Sequence, residues 1–206
     1  MRQMTLSRFP TSPADIIVAD ASVLINLNAT GHFEAIVRAS VCTFQVTQNA
    51  FDELKRGSRN GHADASAVEA LTQIGLITVV ALINTAEPVY RSLIEGPASE
   101  TLDDGEAATI AQAHAISGVA LIDEKKASRL CVGRFPDLTL RSTAELLLDN
   151  RISAALGALH ADAVLMALTG ARMNVHPEHL DAIRRLIGEE NASRCRSLPQ
   201  RQIRPQ

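Results

Sequence analysis

The chain has 206 residues, enough to bury one sizeable core or two small ones. With no Trp and a single Tyr it lacks the aromatic platform on which many single-strand readers stack bases, and a net charge of −3 gives no global basic field. The three cysteines, Cys42, Cys131 and Cys195, lie far apart with no CxxC, which excludes a disulfide framework and points to a reduced, cytoplasmic protein.

Residues 1–13 read as a loose leader, polar and broken by prolines, unlike a signal peptide. No apolar run is expected to reach the length of a membrane span, so no membrane partner is expected. Ile16–Ala19 (IIVA) reads as a buried strand that ends on an acid, Asp20, and Ser22–Asn28 continues with helical spacing. Phe33–Arg38 is more helix and Val41–Val46 a second strand. Thr47 is placed to cap the helix NAFDELKRG. Ala63–Ile74 is helical, Leu76–Ile83 is a third strand and Ala86–Glu95 another helix. LDDGEAATIAQAHAISG has the spacing of an amphipathic helix, with His114 on its apolar side and Gly118 as its stop. Val119–Ile122 is a fourth strand ending at Asp123, Glu124–Val132 a helix, and Leu138–Leu140 an edge strand. Ser142 and Thr143 form a helix cap before AELLL, with Glu145 in the first turn.

Strands that alternate with helices and are apolar throughout predict a parallel sheet covered on both faces. The fold class is therefore α/β, a small doubly wound parallel sheet over residues 14–148. Ile152–Leu168 and Pro177–Ile187 follow with no strand between them, which predicts a helical extension over 149–190. Residues 191–206, rich in arginine and proline, read as a flexible basic tail.

In an open parallel sheet, ligands bind at the carboxyl ends of the strands. Asp20 and Asp123 both stand at such ends, while Glu53 and Glu106 lie on helices that flank strands. Each has a plain structural reading. Asp20 and Asp123 can cap the following helices, Glu106 can complete a capping box with Asp103, and Glu53 can pair with Lys55 or Arg56. Together, four converging acids repel one another unless a hard divalent cation, Mg²⁺ or Mn²⁺, neutralises them. His176 and His179 in HPEH read as a surface pair at a helix start, with no third ligand nearby.

The ordered set ADASVLINL, FDEL, LDDGEAATIAQAH and LIDEKKASRL resembles the PIN-domain nuclease family over about Asp15 to Leu148. It is similar to a toxin-like branch whose third motif reads GEA and whose fourth reads D-[DE]-x-x-A-x-R. The resemblance implies metal-dependent hydrolysis of phosphodiesters, mostly in RNA, leaving a 5′-phosphate and a 3′-hydroxyl. It assigns Asp20, Glu53, Glu106 and Asp123 as the catalytic acids. The metal would be held by Asp20, Glu106 and Asp123, with Glu124 as an auxiliary ligand. Ser22 and Asp104 would support this set, and Asp103 and Asp104 crowd the third motif. Lys55, Arg56, Lys125, Lys126 and Arg129 are the candidates for gripping the RNA backbone. The implied partners are RNA, a small antitoxin and a second copy of the chain. A phosphohydrolase with an Asp nucleophile would want a second Asp where Ser22 stands, and a non-catalytic interaction module would not need all four acids.

Overall fold

The structure, a computed structural model, describes residues 9–10, 12–58 and 63–199. Among them five short strands form one parallel sheet: β1 (Ile16–Ala19), β2 (Thr43–Thr47), β3 (Ile77–Val80), β4 (Val119–Leu121) and β5 (Thr139–Arg141), in the order β3-β2-β1-β4-β5. The register pairs Ile17 with Phe44 on one side and with Val119 on the other. The chain leaves β1 toward β2 and β3, then crosses to the other side of β1 to lay down β4 and β5. The gap between β1 and β4 is thus the topological switch point, where the loops after the two strands diverge and open a crevice. The Asp20 N–H donates to the Leu121 carbonyl at 3.1 Å, so the two strands end side by side.

Alternation along the strands sends residues to opposite faces. Ile17, Ala19, Phe44, Val46, Ile77, Val119 and Leu121 face one layer, and Val18, Ala120 and Ile122 face the other. Both sides are apolar because both are covered, as the uninterrupted IIVA and VALI runs predict. The first layer holds α1 (Ala21–Ala29), α2 (Phe33–Ser40), α3 (Gln48–Ser58) and α4 (Asp64–Gln73). It also takes in α8 (Thr143–Leu147) and the C-terminal helices. The second layer holds α5 (Glu87–Ile94), α6 (Asp104–Ala115) and α7 (Lys125–Arg134).

Helix α6 departs from its expected amphipathic character, because Gly105 through Ala113 are all buried. Six of those nine residues are Gly, Ala or Thr, small enough for α3, α5 and three strands to crowd around one helix. His114 is correspondingly not on a buried side; it is exposed and packs on the Phe135 ring with centroids 5.2 Å apart.

The segment after Leu148 shares the core of the sheet domain. Here α9 (Asn150–Leu156) packs on α2 and α10 (His160–Gly170) on α1, while α11 (Leu180–Ile187) packs on α10. The single helix expected over Ile152–Leu168 is broken at Gly157, whose φ is +53°, followed by a 3-10 turn to Leu159. By length and composition alone the 21 residues Asn150–Gly170 are long and apolar enough to cross a bilayer, with a mean hydropathy of 1.6 over an 18-residue window, contrary to the reading from sequence. Its break at Gly157 and the burial of Ile152, Leu156, Ala163, Val164, Ala167 and Leu168 in the core make it a packed helical pair.

The basic segment from residue 191 is not loose where it is described. α12 (Glu189–Arg194) runs into it, Cys195 and Leu198 are buried, and the nearly buried Arg184 guanidinium donates to the Pro199 carbonyl. At the other end, Phe9 is also buried, and Arg151 holds the Pro10 carbonyl at 2.8 Å. Residues 1–8, 11 and 200–206 of the expected leader and tail lie outside the described residues. All three cysteines are free.

Candidate active site

Asp20 does cap α1, as its simplest reading requires. One carboxylate oxygen, Oδ2, accepts from the Ser22 backbone N–H at 3.2 Å and from the Ser22 hydroxyl at 2.7 Å. The other oxygen, Oδ1, is buried and takes no hydrogen bond. A buried carboxylate oxygen left without a donor is costly, and a cap does not require one. Asp20 is only 3% exposed; burial raises its pKa, and the two Ser22 bonds oppose that rise.

Asp123 is not a cap for the helix that follows it. Glu124 stands at the N-cap of α7 and makes no side-chain cap bond. Asp123 instead reaches to the start of α8, taking the Thr143 N–H at 2.8 Å on Oδ1 and the Thr143 hydroxyl at 2.5 Å on Oδ2. Oδ2 also takes the Asn26 side-chain amide at 2.6 Å. Burial raises its pKa and these donors lower it, so the carboxylate is held in one orientation by three groups from two helices.

Glu106 is 8% exposed, in the first turn of α6. The capping box with Asp103 does not form, since Asp103 makes no side-chain cap bond. The Glu106 carboxyl shares a hydrogen bond with Glu124. Burial, that bond and the charge of Asp20 push its pKa up to about 9. Burial beside the charges of Asp20 and Glu124 thus favours the protonated form of the Glu106 carboxyl.

Glu53 comes in from α3, whose start is capped by Thr47 Oγ1 accepting from the Ala50 N–H at 3.3 Å. Its carboxylate lies against the backbone of Gly105: a Cβ at that position would stand 2.6 Å from Glu53 Oε2 and 3.5 Å from Asp20 Oδ1. Burial raises the Glu53 pKa first and the Asp20 charge second. Lys55 does not pair with Glu53; it meets Asp52 at 3.7 Å and covers the Phe51 ring at 4.2 Å.

The crevice therefore gathers the four acids read from the sequence. Glu106, Asp123 and Glu124 line it with Ser22 and Asn26, and Asp20 and Glu53 meet beside Gly105. Among the described residues, no three His, Cys, Asp or Glu side chains stand close enough together to hold a metal ion as they are. The donor set nevertheless suits a hard divalent cation. It is anionic and all oxygen, and it includes one buried acceptor with no other partner. Asp104 turns away, bonded by Asn49 Nδ2 at 3.1 Å and by the Tyr90 hydroxyl, so it ties α3 and α5 to the start of α6. Among the candidate cations, Arg56 is close enough to lower the Glu53 pKa. Lys125 lines a neighbouring pocket that reaches the other side of Asp123, and Arg129 is exposed on α7. His176 and His179 lie by that pocket on either side of Glu178, at 3.1 and 3.5 Å.

A profile described as PIN domain matches residues 16–189. The chain belongs to the PIN-domain family. The match continues past Leu148 through the C-terminal helices, as their place in the shared core leads one to expect. Among solved structures, this PIN domain is similar to a chain of VapBC2 from Rickettsia felis bound to a DNA fragment from their promoter. The identity is 13%, with 62% of this chain and 98% of that chain covered and a TM-score of 0.43. No curated protein matches the chain.

Two residues of this PIN-domain site escape a reading of the motifs. Asn26 is buried in the apolar stretch VLINL, four residues after Ser22 and so on the same helix face, and that spacing is the signal that could have found it. Thr143 looks like part of an ordinary cap. Ser142 and Glu145 do form the capping box, which leaves Thr143 free to serve Asp123, and no local pattern reveals that long-range bond.

Proposed function

We propose that the chain is a metal-dependent ribonuclease that hydrolyses phosphodiester bonds. The observation that carries this reading is Asp20: a buried carboxylate at the β1–β4 switch point, with one oxygen fixed by Ser22 and the other without a donor. Asp20, Glu106 and Asp123, with Glu124 beside them, would hold Mg²⁺ or Mn²⁺, and Glu53 would complete the anionic shell. When bound, such an ion supplies a water of lowered pKa and neutralises charge on the leaving oxygen. The residues do the positioning. Asn26 and Thr143 fix the Asp123 carboxylate, Ser22 fixes Asp20, and Gly105 leaves the space that lets Glu53 reach the crevice. The Glu106 proton must leave before that carboxyl can act as an anionic ligand.

The same reading makes the protein the toxin of a toxin–antitoxin pair in the cytoplasm, held inactive by a small antitoxin, and a homodimer. Those roles rest on the likeness of the motif set alone. Phosphohydrolase chemistry with an Asp nucleophile is disfavoured by Ser22, whose hydroxyl bonds Asp20 where that mechanism needs a second acid.

The test is incubation of single-stranded RNA with wild type and Asp20→Asn, with and without Mn²⁺. Wild type should cut only with metal, leaving 5′-phosphate and 3′-hydroxyl ends, and Asp20→Asn should lose at least a hundredfold in rate, about 3 kcal/mol of barrier. Cleavage by Asp20→Asn at the wild-type rate would refute the assignment.

A further inference from the structure

Arg172 follows α10 at the position where a helix commonly ends in a left-handed residue, usually glycine. Its φ is +58°, in the left-handed region that an L side chain enters only at a cost. Its neighbours hold it there. Met173 is buried and donates its N–H to the Ala167 carbonyl at 3.1 Å, and Asn174 Nδ2 donates to the Asp123 carbonyl at 3.4 Å. A fixed backbone in a disfavoured conformation, at the wall of a site, points to a purpose for the side chain it presents.

That side chain lines the crevice of Glu106, Asp123 and Glu124 and is the one cation among the described residues that do so. It also lines an adjoining groove with Asn174, Arg196 and Ser197. Were its task to neutralise the carboxylates, it would sit within ion-pair distance of one. It is exposed and makes no ion pair with any described residue, and neither does Arg196. Arg196 is itself carried between two buried anchors, Cys195 and Leu198. Two exposed guanidinium groups side by side, leading away from a carboxylate crevice, match the spaced anions of a nucleic-acid backbone, because each planar fork takes two phosphate oxygens.

We propose that Arg172 and, beside it, Arg196 grip successive phosphates of single-stranded RNA next to the one held at the carboxylates, one phosphate to each arginine. The C-terminal helices then supply a substrate-binding wall. This rests on the ribonuclease reading for its substrate. The grip acts on binding, so it belongs in KM and in the salt dependence, whose log–log slope becomes shallower by about 0.7 for each single-strand phosphate that is no longer neutralised.

The experiment compares wild type, Arg172→Gly, Arg172→Lys and Arg172→Gly/Arg196→Gln as full chains. Binding of fluorescein-labelled poly(U) is followed by anisotropy over a series of salt concentrations, with Ca²⁺ in place of Mn²⁺ and RNA integrity checked on a gel. KM and kcat for cleavage are measured in Mn²⁺. Arg172→Gly should melt at or above the wild-type temperature, because glycine relieves the backbone. It should also bind about tenfold more weakly, with the slope reduced by about 0.7, and raise KM far more than it lowers kcat. Arg172→Lys should keep the slope, and the double variant should show about twice the slope change of Arg172→Gly. A wild-type slope in Arg172→Gly, or a defect confined to kcat, overturns the proposal. Failure of the wild-type chain to cut RNA would instead refute the nuclease reading, and the binding slopes still decide Arg172.

Discussion

Replacing Gly105 by Ala separates chemistry from stability, because one methyl group is asked to fit beside a carboxylate. The new Cβ would stand 2.6 Å from Glu53 Oε2, whereas ordinary contacts begin at 3.4 Å, so the carboxylate must withdraw by about 0.8 Å. The next neighbour, Ala50 Cα, is already at 3.4 Å, so the backbone has no need to move. Gly105 is the second residue of α6 and its φ is not in the left-handed region, so Ala gains helix propensity of up to about 1 kcal/mol. The fold should therefore be unchanged or slightly more stable. Catalysis should suffer, since a displacement near 1 Å in a positioned group can cost about a hundredfold. Thermal melts and Mn²⁺-dependent RNA cleavage measure the two effects on the same preparation. Wild-type cleavage by a well-folded Gly105→Ala would show that Glu53 has no part at this site. A collapse of the melting temperature would show that the glycine is needed for packing alone.

Thr143→Val removes the hydroxyl bond to Asp123 while keeping the backbone N–H and the shape. It should destabilise the chain by about 1.5–3 kcal/mol at neutral pH and weaken Mn²⁺ binding about tenfold, seen by denaturation and calorimetry. Glu106 makes the metal-free protein sensitive to pH. Its folded pKa of about 9 lies above the ordinary 4.5, so the native state keeps a proton that the unfolded chain has released. Stability in EDTA should therefore fall as pH rises from about 4.5, by up to 1.4 kcal/mol per unit, and level off above about 9. Mn²⁺ binding at neutral pH should expel that proton, so its apparent enthalpy should differ between buffers of different ionisation heat. Equal enthalpies in both buffers would contradict a raised Glu106 pKa in the metal-free protein.

The sheet was legible because its cause is local. IIVA and VALI are apolar at every position, which suits only strands covered on both faces, and Asp20 and Asp123 mark where two of those strands stop. Helix α6 misleads because burial on all sides is achieved with Ala, Gly and Thr, and their spacing imitates an apolar stripe. The break at Gly157 and the packing of Cys195 and Leu198 depend on contacts with distant helices, so the extension looked longer in its helix and looser in its tail than it is. The acids were readable as a set, by motif. Their supports were less so. Asn26 carries a faint signal as a polar residue in an apolar helix, whereas the reach of Asp123 to Thr143, twenty residues on, is a product of the β4–β5 pairing. Arg172 has no signal in sequence, since its role depends on a backbone angle and on a crevice built by residues far away.

The central claim is that Asp20 and its neighbours hold a divalent cation, and titrating Mn²⁺ into EDTA-stripped wild type and Asp20→Asn by calorimetry tests it most directly. The account predicts saturable binding by the wild-type chain and its loss in Asp20→Asn, which keeps the fold and the Ser22 contact but not the charge. Equal binding by the two proteins, or no binding by either, would contradict it.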